Sequence, residues 1–297
     1  MPLSAAFTAR RKAFRAAVLR FYRRHKRDLP WRRTRDPYRI LVSEIMLQQT
    51  QVDRVIPRYE AFLARFPTLG ALARARCADV VRAWLGLGYN GRAVRLWQCA
   101  RHVHAERRGV LPRELQQLQR LPGIGPYTAS AVAAIAFGAP VAAVDVNVGR
   151  VLSRVFAGRD DLATARVHAL AHAVVPPRAA GEWAQALMDL GARYCRARPR
   201  CAECPVRTMC AYTHRHRSAI QRGRKGAASD RFHGSNRYYR GRIVRVLSTD
   251  VDLTVRALGR KVKDGFALSD VPWLLELLRG LARDGLVRVL RGRVRLA

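Results

Sequence analysis

Two carboxylates, four thiols and one glycine-rich turn are the groups in this chain whose types and spacing could do chemistry. Glu44 lies in Arg39-Ile40-Leu41-Val42-Ser43-Glu44-Ile45-Met46-Leu47-Gln48-Gln49-Thr50. A helix over 38–49 would give it Ile40, Leu41, Leu47 and Gln48 on its own face and Val42, Ile45 and Met46 on the opposite one. A carboxyl wrapped in apolar groups is desolvated, so it stays protonated near neutral pH and can serve as a general acid. The competing reading is a glutamate at the rim of a core, paired with an arginine. Asp145 closes an uncharged run and precedes Val148, Val151, Leu152 and Val155, which predicts a helix N-cap. A capping carboxylate that accepts backbone N–H bonds stays ionised, the state that can stabilise a neighbouring cation.

The thiols are Cys195-x5-Cys201-x2-Cys204-x5-Cys210, four of the six cysteines, crowded between positions 195 and 210. That density points to zinc or an iron–sulfur cluster. A zinc ribbon prefers two close pairs, whereas one close pair with two flanking ligands suits a cubane cluster. Arg193, Arg196, Arg198, Arg200 and Arg207 surround the group, which is expected to face phosphate. The turn is Leu121-Pro122-Gly123-Ile124-Gly125-Pro126-Tyr127-Thr128, between a helix marked by Leu115, Leu118 and Leu121 and an alanine-rich helix. Gly123 and Gly125 let the backbone turn tightly and leave amides bare at a helix start, a nest for phosphate that does not read sequence. A plain helical hairpin is the alternative.

The elements that must hold these groups are mostly helical. The chain has 297 residues, 49% of them hydrophobic, enough for one large core or several small ones. Lysine plus arginine number 56 against 21 acids, a formal charge of +35, so a polyanion such as nucleic acid is the expected partner. From Pro30 to Cys210 helical patterns run between short breakers. The long uncharged run 121–144 holds three prolines and three glycines, which argues against a membrane span. The basic start, with Phe7, Phe14, Val18, Phe21 and Tyr22 at helical spacing, is predicted to be an amphipathic helix rather than a transit peptide. The cysteine usage fits a reducing, cytoplasmic compartment. Residues 214–231 lose hydrophobicity and gain charge, glycine and serine, which suits a linker, placed at 214–239. Beyond them, helical patterns around Ile243, Leu258 and Leu274 precede a hairpin over 286–296 whose turn is Arg291-Gly292. Helices followed by a basic hairpin resemble a winged helix.

Taken together, Pro30-Trp31-Arg32, Ser43-Glu44 through Gln49-Thr50-Gln51, Gly86-Leu87-Gly88-Tyr89, Leu121 to Thr128, Asp145-Val146-Asn147 and Met188-Asp189-Leu190-Gly191-Ala192 followed by the cysteines resemble one family. It is the MutY-type adenine DNA glycosylases, in the iron–sulfur branch of the helix-hairpin-helix superfamily that includes endonuclease III. The resemblance covers residues 25–212. It implies an all-α fold, with a six-helix barrel domain at 30–138 and a helical iron–sulfur cluster domain from 1–29 and 139–213. A linker at 214–239 and a small winged-helix-like α+β domain at 240–297 complete the expected plan.

The resemblance also implies roles. Glu44 would protonate the adenine at N7, Asp145 would stabilise the oxocarbenium ion or trap it covalently before water attacks, Tyr127 would hydrogen-bond within the site and Asn147 would help position Asp145 or the water, in the logic of paired carboxylates. Gln49 and Tyr89 would enter the DNA stack, Trp31 and Gln48 would line the pocket, and Cys195, Cys201, Cys204 and Cys210 would hold a [4Fe–4S] cluster. The expected partner is double-stranded DNA with a mismatched or damaged base, bound by a monomer. Bifunctional relatives use a lysine where Tyr127 stands, and this chain has no lysine from Arg27 to Arg224, so hydrolysis with weak or no AP-lyase activity is expected. Three departures stand out. The spacer between Cys195 and Cys201 is one residue shorter than the family's, Val146 replaces a glycine, and the segment from Thr213 to Ala297 does not resemble a Nudix-like domain. The alternatives are a glycosylase for thymine or uracil in G:T-type mismatches and, in another class, a non-enzymatic cluster-containing DNA sensor.

Overall fold

The computed structural model describes residues 5–215 and 232–297. Helices fill most of both stretches, and one small antiparallel sheet closes the chain, as the all-α plan with an α+β end requires. The greater part of the expected linker, 216–231, lies outside the described residues. The chain divides into two compact units. The first draws on Met1–Leu41, Pro112–Gln119 and Gly125–Ala227, the second on Val42–Leu111, Arg120–Ile124 and Ala228–Ala297.

In the first unit the basic N-terminal stretch forms the helix Ala5–His25 and buries Phe14, Val18, Phe21 and Tyr22. Its arginines work as caps. Arg15 donates from Nε to the Val174 carbonyl at 2.7 Å and from Nη2 to that of Val175 at 2.6 Å, satisfying the last carbonyls of the helix Thr164–Val174. The helix Pro126–Phe137 is buried from Thr128 to Ile135, as an element apolar on every side must be. The helix Ala180–Arg193 comes so close to it that a Cβ on Gly181 would sit 2.9 Å from the Ala134 carbonyl oxygen.

Asp189, on that same helix, is 4% exposed and accepts from two arginines, Arg27 Nε at 2.9 Å and Arg32 Nη1 at 2.7 Å among its contacts. This ties Pro30-Trp31-Arg32 to Met188-Asp189, two of the sequence signatures noted above. Replacing Asp189 by alanine leaves the buried Arg32 guanidinium unpaired, a loss of about 3–5 kcal/mol. In a melting experiment the variant should unfold roughly 10 °C below the parent.

In the second unit, the helices Cys77–Trp84 and Gly91–Arg107 share a hydrophobic core with the C-terminal segment. Cys77, Val81 and Val94 pack with Ile243, Leu247, Leu258, Leu274, Leu278 and Val294. The C-terminal helices are Asn236–Thr249, Val255–Val262 and Val271–Arg283, the first two capped by Ser235 and Thr254 side chains. Strand β1 (Leu253–Thr254), absent from the sequence expectations, joins β2 (Val287–Leu290) and β3 (Arg293–Leu296) in the order β1-β3-β2. The β2–β3 hairpin turns on Arg291 and Gly292, both left-handed (φ 49° and 72°), the pairing a tight two-residue hairpin demands.

Candidate active site

Asp36 starts the helix Pro37–Leu47, accepting the Tyr38 amide at 2.8 Å, with Pro37 in the first turn where its missing N–H costs nothing. Ile40 to Met46 are all buried, and Glu44 among them is 6% exposed. The carboxyl-bearing residue is therefore buried on this helix. The helix ends two residues earlier than the spacing predicted, so Gln48 and Gln49 lie in a turn, and Gln49 is left-handed (φ 53°). The reason lies in Arg92, which claims the carbonyls that a further turn would use. Its Nη1 donates to those of Ile45 at 2.8 Å, Met46 at 2.9 Å and Gln48. These oxygens would otherwise need a continuing helix. Tyr89, 50% exposed, follows Gly86 and Gly88 and is also left-handed (φ 46°).

The glycine-rich turn has the predicted form. Ile124 is its buried plug, Gly125 is the N-cap of the helix Pro126–Phe137, and Pro126 occupies the first turn. Gly123 has φ 73°, and a Cβ there would fall 2.7 Å from the Arg95 Cβ, while nothing lies within 4 Å of the corresponding position on Gly125. The open side of Gly125 leaves room for a ligand to approach the helix N-terminus. Gly123→Ala combines positive φ with a collision against a side-chain root, so it should destabilise by about 2 kcal/mol or more. Gly125→Ala should leave the melting temperature nearly unchanged. Tyr127, in the first turn of the same helix, is partly buried, with its hydroxyl 3.8 Å from the Met188 sulfur. Trp31, in the turn Pro30–Arg32, is 5% exposed.

Asp145 caps the helix Val146–Leu152 as predicted. Its Oδ1 accepts the Val148 amide at 2.7 Å, and its Oδ2 accepts Asn147 Nδ2 at 2.9 Å. Each carboxylate oxygen is therefore held by an N–H donor. Asn147 is itself oriented: Arg150 Nη2 donates to its Oδ1 at 2.7 Å, and the same guanidinium donates through Nε to the Cys195 carbonyl. A Cβ on Gly191 would lie 2.7 Å from the Asn147 Cβ, so only glycine lets the two helices meet here. Val146, which stands where the resembled family has glycine, points outward and is 79% exposed.

Cys195, Cys201, Cys204 and Cys210 line one cavity, with Val151 and Leu190 in its apolar wall. None is in a disulfide. Burial pushes the Cys204 thiol up to about 12 and the Cys195 thiol above its ordinary value, while Arg154, 3.6 Å from Cys195 Sγ, opposes the latter. Among the described residues no three acidic, histidine or cysteine side chains converge on the spacing of a single metal ion. Four sulfurs lining a partly apolar pocket suit a group larger than one ion better than they suit zinc. Arg193, Arg196, Arg198, Arg200 and Arg207 are exposed around this loop.

Sequence reasoning missed four residues here: Arg92, Arg150, Arg154 and Asp189. Arginines that turn inward, as Arg92 and Arg154 do fully and Arg150 in part, carry no periodic signal in a chain with 56 cations. Asp189 could have been found, because an acid inside an otherwise apolar helical face needs a partner.

Residues 42–196 match the family model described as HhH-GPD superfamily base excision DNA repair protein. Over 275 residues the chain is 42% identical to the adenine DNA glycosylase of Mycolicibacterium smegmatis, covering 91% of each. The chain belongs to the HhH-GPD superfamily. It is also 46% identical over 212 residues to the human adenine DNA glycosylase, covering 67% of this chain and 39% of that protein. The superfamily fold appears among solved structures as well. A thermostable thymine-DNA glycosylase superimposes with a TM-score of 0.67 at 33% identity, over 71% of this chain and 99% of that one. Endonuclease III in a non-covalent DNA complex gives a TM-score of 0.60 at 21% identity, over 70% and 98%, a likeness of fold.

Proposed function

We propose that this HhH-GPD protein is a monofunctional DNA N-glycosylase of base excision repair that hydrolyses the glycosidic bond of adenine mispaired with 8-oxoguanine or guanine. The observation that carries the reading is Asp145, a carboxylate whose two oxygens are held by an amide and by Asn147, in a chain that also buries Glu44 in an apolar helix. The extensive identity to adenine DNA glycosylases supports it independently.

In this mechanism Glu44 gives its proton to the adenine ring at N7, which makes the base a neutral leaving group. Asp145 offsets the positive charge that grows on the deoxyribose as the bond lengthens. Water, positioned with Asn147 and Tyr127, then adds to the sugar and gives its proton to the Glu44 carboxylate left by the first step. Gln49 and Tyr89 enter the stack vacated by the flipped nucleotide, and Trp31 and Gln48 bound its pocket. Gly123 shapes the turn and Gly125 presents amides to a backbone phosphate. With no lysine between Arg27 and Arg224, no amine of that stretch can form a Schiff base with the sugar.

Cys195, Cys201, Cys204 and Cys210 would hold a [4Fe–4S] cluster, which would tie their loop together and add a redox-active centre. The exposed arginines around that loop, and Arg288, Arg291 and Arg295 on the C-terminal hairpin, supply charge for duplex DNA. We assign the cluster domain to 1–29 and 139–213, the barrel to 30–138 and the winged-helix-like domain to 240–297. The protein is assigned as a cytoplasmic monomer. No described helix is long and apolar enough to cross a membrane.

A panel of duplexes tests the proposal: A opposite 8-oxoguanine, G or C, then G:T, G:U and an oxidised pyrimidine, each scored for released base and for strand cleavage. Adenine should be released, with breaks appearing only after alkali and no covalent product trapped by borohydride. Release of thymine in preference to adenine would transfer the activity to the thymine class, which the 33% identity to a thymine-DNA glycosylase makes the nearest rival. Absence of any base release would reject an enzyme in favour of a DNA sensor.

A further inference from the structure

Arg92 is 3% exposed, yet among the described residues it has no carboxylate within ion-pair distance. Its positive charge is met by oxygen dipoles instead. Besides the three carbonyls at the end of the helix Pro37–Leu47, Nη2 donates to the Thr50 hydroxyl at 3.0 Å and to the Gly88 and Leu87 carbonyls at 3.0 and 3.3 Å. Its Nε reaches the Tyr89 carbonyl at 3.4 Å, and its own backbone amide donates to that carbonyl at 3.0 Å. The guanidinium also lies over the Trp84 and Tyr89 rings, 5.5 and 5.7 Å from their centroids. Burial lowers its pKa to about 10, so it remains a cation at neutral pH.

Two chain segments distant in sequence, 45–50 and 87–89, are thus gathered on one side chain. Each carries a non-glycine residue with positive φ, Gln49 and Tyr89. The other two such residues among those described have local reasons: Arg108 ends a helix and Arg291 turns a hairpin. Gln49 follows the end of the helix Pro37–Leu47 and Tyr89 follows Gly88, but these two alone share one guanidinium, which bonds the carbonyl preceding each, and both side chains are largely open to solvent. Side chains kept in an unfavourable backbone region persist only where their surroundings over-determine them. Here the surroundings are the carbonyls on either side, fixed by one planar fork of five N–H donors. A lysine offers three donors from a single point and could not serve both turns.

We propose that Arg92 is a positioning residue that sets Gln49 and Tyr89 at a fixed separation, so that they enter the DNA stack as one preformed unit rather than as two independent side chains. This rests on the reading that both residues enter the stack when the adenine leaves it. Preorganisation of this kind lowers the ordering cost at the moment of flipping and shows in the flipping step itself.

The test uses the full chain and a duplex in which the mismatched adenine is replaced by a 2′-fluoro-2-aminopurine nucleotide, which fluoresces on unstacking and resists cleavage. Arg92→Lys, Gln49→Ala, Tyr89→Ala and their combinations are compared, with Thr50→Val as a milder variant that keeps the guanidinium and removes one of its acceptors together with that hydroxyl's own bonds to the Gln48 and Leu87 carbonyls. Circular dichroism identifies the variants that fold. Arg92→Lys should slow the fluorescence rise by roughly tenfold, and in the Gln49→Ala/Tyr89→Ala background the same change should add roughly twofold or less. Thr50→Val should slow it in the same direction by a smaller factor, which keeps the proposal testable if Arg92→Lys does not fold. Loop variants that slow flipping beside an unaffected Arg92→Lys, or an unaffected Thr50→Val if the lysine variant is unfolded, would overturn the role of Arg92 and leave the stacking roles intact. Fully additive losses would overturn it too, because they would make Arg92 a general support of the fold. If Gln49→Ala and Tyr89→Ala flip the base at the parental rate, the stacking reading fails, and the proposal with it.

Discussion

Asp145→Asn should reduce adenine release under single-turnover conditions by on the order of a thousandfold, while affinity for the mismatch stays within a few-fold of the parent. The geometry makes this a clean experiment. Asparagine is as good an N-cap as aspartate, so its side-chain oxygen can keep the Val148 amide. What is lost is the bond from Asn147, since the new amide nitrogen would face another donor, at a cost of about 1 kcal/mol. Stability therefore changes little while the negative charge disappears. A mere cap would behave differently: Asp145→Asn would then excise adenine at close to the parental rate, and that result would remove Asp145 from the mechanism.

The second large effect is expected at Glu44. Glu44→Gln preserves shape at a buried position and removes the proton that the proposed mechanism transfers, which should cost about 10²–10⁴-fold in the chemical step. A substrate analogue separates this role from a packing defect. A 7-deazaadenine base has no N7 to receive the proton, so the parent enzyme should process it poorly, and Glu44→Gln should lower that residual rate little further. Equal losses from Glu44→Gln on adenine and on the deaza analogue would place the effect in packing instead of proton transfer. Melting curves of the variant should lie close to those of the parent in either case.

Much of the scaffold could be read from residue pattern because the pattern is local. The buried face of Ala5–His25, the glycine turn with Ile124 at its centre, the cap at Asp145 and the hairpin turning on Arg291-Gly292 each follow from spacing over a short stretch of chain. The helix end at Leu47 did not follow. Nothing between Ile45 and Thr50 breaks a helix, and the cause is Arg92, far along the chain, which claims the terminal carbonyls. The same holds for the Arg150 link from Asn147 to the Cys195 backbone. Strand β1 spans only Leu253 and Thr254, too short to show alternation. Packing of Cys77 and Val81 against the C-terminal helices was equally invisible, since an apolar helix face does not say which partner covers it.

That last packing bears on how the molecule could be dissected. A shortened chain made to isolate the excision machinery would keep Cys77, Val81 and Val94 but lose the Ile243, Leu258 and Leu274 side chains that cover them. Its clumping would report a greasy scar left by the cut and would say nothing about whether the missing piece ever reads a lesion.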